Sequence, residues 1–462
     1  MVKVAGSADL SNAEKISDRT ERIQYVYDQL RSTANNTQGD LVKYLDSNKL
    51  SYQKFYITNA IVVHNATADV VKALAARSDV ERVNFNVRSP LKLPVVPRPT
   101  KMFSALDDKG EIPNNLTSIQ VDRVWNELKV KGKGVVIAGQ DTGYNWKHPA
   151  IHRQYRGLSV DAAGVETVNH NYNWHDSIHS NSSSNVCGAN QTEPCDDLNH
   201  GTHTMGSMVG DDGQGNRIGV APEAKWMGCR NMDGGVGTVS SYMECFEFFL
   251  APYPVGGDSR KDGKPEMAPH IINNSWGCPT EEGCHGNEFL EIVRAVKAAG
   301  IMMVVALGNE GPECGSAGAP PGSYYGEVLT AAAYDHSANE IAYFSSRGPS
   351  AFNGGVGPDI AAPGVNVRSS VNQGGFTSNG GQYDYMSGTS MASPHTAGVV
   401  ALLWSAHPNL IGKIQQTVDL IHGTATAKTT DQSCGKFSGS EIPNVVFGHG
   451  VIDAFKLVST AK

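Results

Sequence analysis

Four short segments carry residue types that can do chemistry together. Gly388-Thr389-Ser390-Met391-Ala392-Ser393-Pro394-His395 runs into Ala397, Val400, Ala401 and Trp404, which recur at helical spacing and put Ser390 at an expected helix N-terminus. Unpaired N–H groups there can stabilise an oxyanion forming beside a serine nucleophile. Pro394 is expected in the first turn, where its missing donor costs nothing. Asn199-His200-Gly201-Thr202-His203 precedes the small residues Gly206 and Ser207, so His200 should stand at a second helix start as a candidate base. Such a base needs a serine within reach and a carboxylate to orient its other nitrogen. Gln140-Asp141-Thr142-Gly143, closing the apolar run Val135 to Ala138, offers that carboxylate, and Gly308-Asn309-Glu310-Gly311, after Ile301 to Leu307, offers an amide donor. Ser275-Trp276-Gly277 follows a run beginning at Ile271, and Gly234-Gly235-Val236-Gly237 exposes backbone with which an extended peptide can pair.

Each motif alone has an ordinary reading: Ser and Asp cap helices, and Asn-x-Gly makes turns. A zinc set of Cys187, Cys195, His200 and His203 matches no compact zinc module, and the two cysteines can bridge instead. The joint order Asp, His, Asn, Ser, each at a strand end or helix start, is what the ordinary readings leave unexplained.

The elements that must position these residues are legible as strand, helix, strand units. Val135–Ala138 and Ile271–Asn273 read as buried strands; Phe289, Val293 and Val296 form one helical face before the strand Ile301–Leu307. Right-handed crossovers then imply an α/β class with a doubly wound parallel sheet, active residues lying beyond the carboxyl ends of its strands. Residues 1–88 differ in texture and read as a small α+β unit. It has a helix around Glu21–Arg31, a β-rich run Phe55–Val63, a helix capped by Thr67 with Val70, Val71 and Leu74 on one face, and a strand-like Val83–Val87. Residues 89–113, with Pro90, Pro94, Pro97, Pro99 and Pro113, read as an extended linker before a main domain at 114–462.

Composition excludes several classes. With 46 acidic and 38 basic residues the net charge is −8, which speaks against a nucleic-acid partner. The longest apolar runs, Ile301–Leu307 and Ala397–Trp404, fall far short of the ~20 residues that cross a bilayer, so no membrane partner is expected. Eight cysteines, an even number, fit a disulfide-bonded secreted protein whose signal is absent from this chain, and sequons at Asn35, Asn65, Asn115, Asn181, Asn190 and Asn273 fit a glycoprotein, the last being inaccessible in its apolar run. Cys187 with Cys195, Cys229 with Cys245, and Cys278 with Cys284 are the expected local pairs; Cys314 and Cys434 are left either paired or free.

Taken together, the motifs from Asn114 to Lys462 resemble the subtilisin family of serine proteases. Cys278 and Cys284 in Trp-Gly-Cys-Pro-Thr-Glu-Glu-Gly-Cys are similar to its bacillopeptidase F-like branch, and Gly448–Ala454 resembles the family's entry to its last helix. The resemblance implies a subtilisin-like sheet with helices on both faces. It also implies that Asp141 orients His200, that His200 deprotonates Ser390, and that Asn309 with the Ser390 N–H binds the oxyanion. Gly234, Gly235, Val236 and Gly237 would flank the substrate with Ser275, Trp276 and Gly277. Ala306, Leu307 and Gly308 would line a cleft for a large apolar residue, unless Glu310 favours a basic one. The first unit resembles the family's ferredoxin-like inhibitory propeptide, removed by self-cleavage in the linker.

The implied function is a secreted, monomeric serine endopeptidase made as a zymogen, acting on protein or peptide substrates with its own propeptide as inhibitor. Catalysis would need no cofactor. Structural calcium is possible with ligands unassigned, since Gly213 in the loop Asp211–Asn216 offers no side chain where relatives bind that ion. The alternatives are an inactive peptide-binding protein on the same fold, which loss of Asp141, His200 or Ser390 would signal, and an acid-active serine carboxyl peptidase, which uses a carboxylate in place of His200. Gly139-Gln140 and Tyr144 depart from the family's usual apolar residues around the acid.

Overall fold

The computed structural model describes all residues except 95, 97–109, 181–184, 280–283, 285, 288, 373–381 and 462. The sequon at Asn181 and most of the expected linker therefore lie outside the described residues.

The first unit runs β1 (Val2–Val4), α1 (Arg19–Thr37), α2 (Gly39–Ser47), β2 (Tyr52–Phe55), β3 (Ala60–Val63), α3 (Ala68–Ala75) and β4 (Val80–Val83). Its antiparallel sheet has the order β2-β3-β1-β4, the ferredoxin-like arrangement. The β-rich run expected over Phe55–Val63 is split: Asn59 turns at φ +46 and its amide donates to Gly6 O at 2.9 Å. The last strand lies earlier than the expected Val83–Val87, because pairing with β1 ends at Val83 and leaves Phe85 85% exposed. On α3, capped by Thr67 as expected, Leu74 is buried and Val71 is 38% exposed, so the buried face is narrower than the three apolar residues imply.

In the main domain, β6 (Val136–Asp141), β7 (Trp174–Asp176), β8 (Lys225–Arg230), β9 (Met232–Asp233), β10 (Val236–Thr238), β11 (Ile271–Asn274), β12 (Met302–Ala306), β13 (Leu329–Asp335), β14 (Glu340–Ile341) and β15 (Ile360–Pro363) follow the short strand β5 (Arg88–Pro90). The large sheet has the order β14-β13-β12-β11-β6-β8-β7, with β15 also on β13, and all pairings are parallel except β13 with β14. Alternation sends successive side chains to opposite faces. Ile137, Ile271 and Val304 join one core with α4 (His200–Val209) and α7 (Thr389–Ala406). Ala138, Ile272 and Val305 join the other with α5 (Val239–Leu250) and α6 (Leu290–Ala298). Burial on both faces is why these strands read as continuous apolar runs.

The ferredoxin-like unit docks on α5 and α6. Glu247 of α5 accepts the backbone N–H groups of Tyr56 (2.5 Å) and Ile57 (3.0 Å), Glu244 accepts Gln53 Nε2 at 2.5 Å, and Lys3 Nζ meets Glu291 of α6 at 2.5 Å. Burial pushes the Glu247 carboxyl up to about 7. Burial also opposes ionisation of Glu244, yet the hydrogen bonds of His175 (2.6 Å) and His179 (2.9 Å) outweigh it and hold that carboxyl below its usual range.

All eight cysteines pair: Cys187–Cys195, Cys229–Cys245, Cys278–Cys284 and Cys314–Cys434. The first pair removes the zinc alternative, and His203 Nε2 instead donates to Val367 O at 2.9 Å. Asn115 is buried like Asn273, its amide 2.8 Å from His395 Nε2. No helix among the described residues is long and apolar enough to cross a membrane.

Candidate active site

Asp141 is the last residue of β6 and His200 the first of α4, so a strand end and a helix start meet. His200 Nδ1 lies 2.7 Å from Asp141 Oδ1, both side chains being almost fully buried. Thr142 N donates to the same oxygen at 2.8 Å and Thr204 Oγ1 to Asp141 Oδ2 at 3.2 Å. His200 Nε2, on the far side of the ring, has no hydrogen-bond partner among the described residues. Asp196 fixes the start of α4, accepting from Leu198 N, Asn199 N and Thr202 N at 2.9–3.0 Å and from Thr142 Oγ1 at 2.8 Å.

Ser390 occupies the second position of α7 and its Oγ donates to Ser275 O at 3.0 Å. Pro394 falls beyond the first turn, because the helix already begins at Thr389. A proline there removes the donor that would meet the carbonyl four residues back. That carbonyl is Ser390 O, and it accepts Ser275 Oγ at 2.9 Å instead. Thus Ser275 makes two bonds to the nucleophile candidate and compensates the proline. Thr389 N and Thr389 Oγ1 donate to Asn309 Oδ1 at 2.9 and 3.0 Å, which turns Asn309 Nδ2 outward.

What Nδ2 meets is the chain itself. β5 pairs antiparallel with β10, in the three-stranded order β9-β10-β5, setting Val236 opposite Pro90, Gly237 opposite Ser89 and Thr238 opposite Arg88. Leu91 N continues the ladder to Gly235 O at 2.7 Å, and Ser89 Oγ donates to Gly277 O at 3.0 Å from the other side. The segment is thus gripped between Gly234–Gly237 and Ser275–Gly277. Lys92 O then lies 3.3 Å from Asn309 Nδ2, in a cavity lined also by Ala306, Leu307, Gly308, Glu310 and Ser390. A Cβ at Gly237 would fall 2.1 Å from the Tyr242 hydroxyl, so β10 needs glycine there. Tyr242 in turn stacks on Trp276 at 3.8 Å.

Residues 132–450 match the Subtilase family, Peptidase S8. This chain belongs to the subtilase family. It is 33% identical to Bacillopeptidase F of Bacillus subtilis (strain 168) over 474 aligned residues, covering 99% of this chain and 30% of that protein. Serine protease AprX of the same organism is 32% identical, with 62% of this chain and 60% of that one covered. Fervidolysin of Fervidobacterium pennivorans is 28% identical over 77% of this chain and 48% of its own length. The chain thus spans less than two thirds of each of these relatives.

Two departures from the subtilase pattern explain each other. A Cβ on Gly139 would lie 2.4 Å from the Tyr144 hydroxyl, and one on Gly228 2.5 Å from the Tyr144 ring. The two glycines open the space that the fully buried Tyr144 fills, against Trp174 and Trp226. In the loop considered for calcium, Asp211 and Asp212 accept N–H groups of Gly213, Gln214 and Asn216, and Arg153 Nη2 donates to Asp211 O at 2.8 Å. Among the described residues no group of three or more His, Cys, Asp or Glu side chains can hold a metal ion.

Several participants carry no sequence signal of their own. Thr389 orients Asn309, and Asp196 holds the start of the His200 helix. Lys92 stands among linker prolines and is found only through the pairing of β5 with β10.

Proposed function

We propose that this subtilase is a secreted serine endopeptidase, made as a zymogen, that cuts its own Lys92–Leu93 bond before acting on other protein chains. The observation that carries this reading is the Lys92 carbonyl oxygen, directed at Asn309 Nδ2 by a strand seated in the groove beside Ser390. Rotation of Ser390 Oγ away from Ser275 O brings its proton to His200 Nε2, while Asp141 keeps Nδ1 protonated and facing inward. Oγ bonds to the Lys92 carbonyl carbon and the carbonyl oxygen takes the electron pair. Asn309 Nδ2 and the Ser390 backbone N–H stabilise that charge. Collapse expels the Leu93 amine, which receives the proton from His200; water then repeats the sequence on the acyl-enzyme. No step as drawn calls for a cofactor.

Lys92 in a cavity shared with Glu310 supports a preference for a basic residue on the acyl side of the cut. Once cut, residues 1–92 would remain as a product-like inhibitor held through α5 and α6. Four disulfides support secretion, since reducing compartments do not maintain them.

The test is N-terminal sequencing of the species that reacts with a serine-directed fluorophosphonate. Leu93 as its first residue, together with a Ser390→Ala chain that stays at its full 49.3 kDa, is the expected result. A labelled species beginning elsewhere overturns the assigned bond, and absence of labelling at every stage overturns the peptidase reading itself.

A further inference from the structure

Gln140, the other departure from the family pattern, lies on the face of β6 opposite Asp141 and is completely buried. An amide at that depth needs partners. It has two. Gln140 Nε2 donates to Asn274 Oδ1 at 2.5 Å, and Gln140 Oε1 accepts Asn231 Nδ2 at 3.1 Å; both asparagines are fully buried. The three amides thus cross from the end of β11, through β6, to the turn after β8.

Each end of this clasp adjoins the reacting groups. Asn274 is the register partner of Gln140 and the residue before Ser275, which bonds Ser390 through both its carbonyl and its hydroxyl. Asn231 N donates to Asp141 O at 2.9 Å. The clasp therefore joins the strand end carrying the acid to the strand end bracing the nucleophile, by a route across the sheet independent of His200. Asn274 Nδ2 and Asn231 Oδ1 have no partner among the described residues, so removing the Gln140 amide would leave both buried asparagine side chains unpaired there.

We infer that Gln140 is a positioning residue for the Asp141–His200–Ser390 constellation, setting the separation of Asp141 from Ser390 through Asn231 and Asn274. The inference rests on the peptidase reading above. Small displacements of reacting groups weaken the chemical step far more than ground-state binding, and about 1 Å can cost ~10²-fold.

The experiment compares the parent chain with Gln140→Leu and Asn274→Leu, measuring kcat and KM on a lysine-containing peptide per fluorophosphonate-titrated site, so that molecules failing to fold drop out of the count. Each variant is expected to lose about tenfold or more in kcat with KM within about twofold, and the double variant to lose no more than the worse single one. An unchanged kcat per site, a change confined to KM, or losses that multiply in the double variant would each overturn the inference. Should Gln140→Leu give no titratable site, Asn231→Leu, which removes one bond from a turn outside the sheet, replaces it: a severalfold kcat loss supports the clasp and an unchanged kcat refutes it. A parent chain without a titratable serine would instead refute the peptidase reading, so the two failures are distinguishable.

Discussion

His200 Nδ1 and Asp141 Oδ1 stand 2.7 Å apart with almost no solvent access to either, and this contact decides which face of the imidazole remains for chemistry. An acceptor on one side keeps the proton on Nδ1, leaving Nε2, which has no hydrogen-bond partner among the described residues, with its lone pair free.

Asp141→Asn should therefore keep the fold and the spacing but present an amide that permits the wrong tautomer. A fall of about 10⁴ in kcat is expected, the size such a change has in another serine protease. Steady-state turnover on a short peptide, normalised by titrated sites, is the measurement. A loss under tenfold would mean that the carboxylate does not orient the base.

Asn309→Leu removes the amide donor that stands 3.3 Å from the Lys92 carbonyl oxygen while leaving the groove walls in place. The expected cost is about 10²–10³ in kcat with little change in KM, a magnitude known from a subtilisin, a member of this same family. An effect confined to KM would reassign Asn309 to substrate positioning.

The catalytic candidates are legible because each sits at a strand end or a helix start, with small residues beside it for close approach. Gly139, Gln140 and Tyr144 were legible only as oddities, since their meaning lies in partners distant in sequence: Gly228, Asn274 and Asn231. Nothing in the sequence marks Glu244 and Glu247 as buried acceptors, because the groups that donate to them, Gln53, Tyr56, Ile57, His175 and His179, are distant along the chain. Pro394 was expected one turn too early, because a helix start cannot be fixed without seeing that Ser275 supplies the missing donor. The break at Asn59 was hidden by β-prone neighbours on both sides.

Cys314–Cys434 closes 120 residues of chain, whereas Cys278–Cys284 closes six. Chain entropy then assigns about 5 kcal/mol to the first and about 2 kcal/mol to the second. Replacing Cys314 and Cys434 together by serine should lower the thermal midpoint more than replacing Cys278 and Cys284. Melts on a Ser390→Ala background, where self-digestion cannot intervene, compare the two. The reverse order would mean that local packing around the short bridge, not chain entropy, dominates.

Release of the first unit should be favoured by alkali, and Glu247 supplies the reason. In the docked state its carboxyl receives Tyr56 N, Ile57 N and Ser259 Oγ and faces the Arg260 charge, all of which favour ionisation, yet burial prevails and raises it to about 7. Departure of β2 and its following turn uncovers the carboxyl, which should return toward the ordinary ~4.3. A group that binds protons more tightly when docked stabilises docking fully below the lower value, and that contribution is lost as pH rises through the higher one. Dissociation of the cleaved but still associated unit should thus accelerate between pH 5 and pH 8, followed by gel filtration so that turnover does not enter the readout. Glu247→Gln keeps an oxygen for Tyr56 and Ile57 but cannot ionise, and its dissociation should vary far less over the same range. If the variant retained the full pH dependence of the parent, the titrating group would have to be sought elsewhere on the interface.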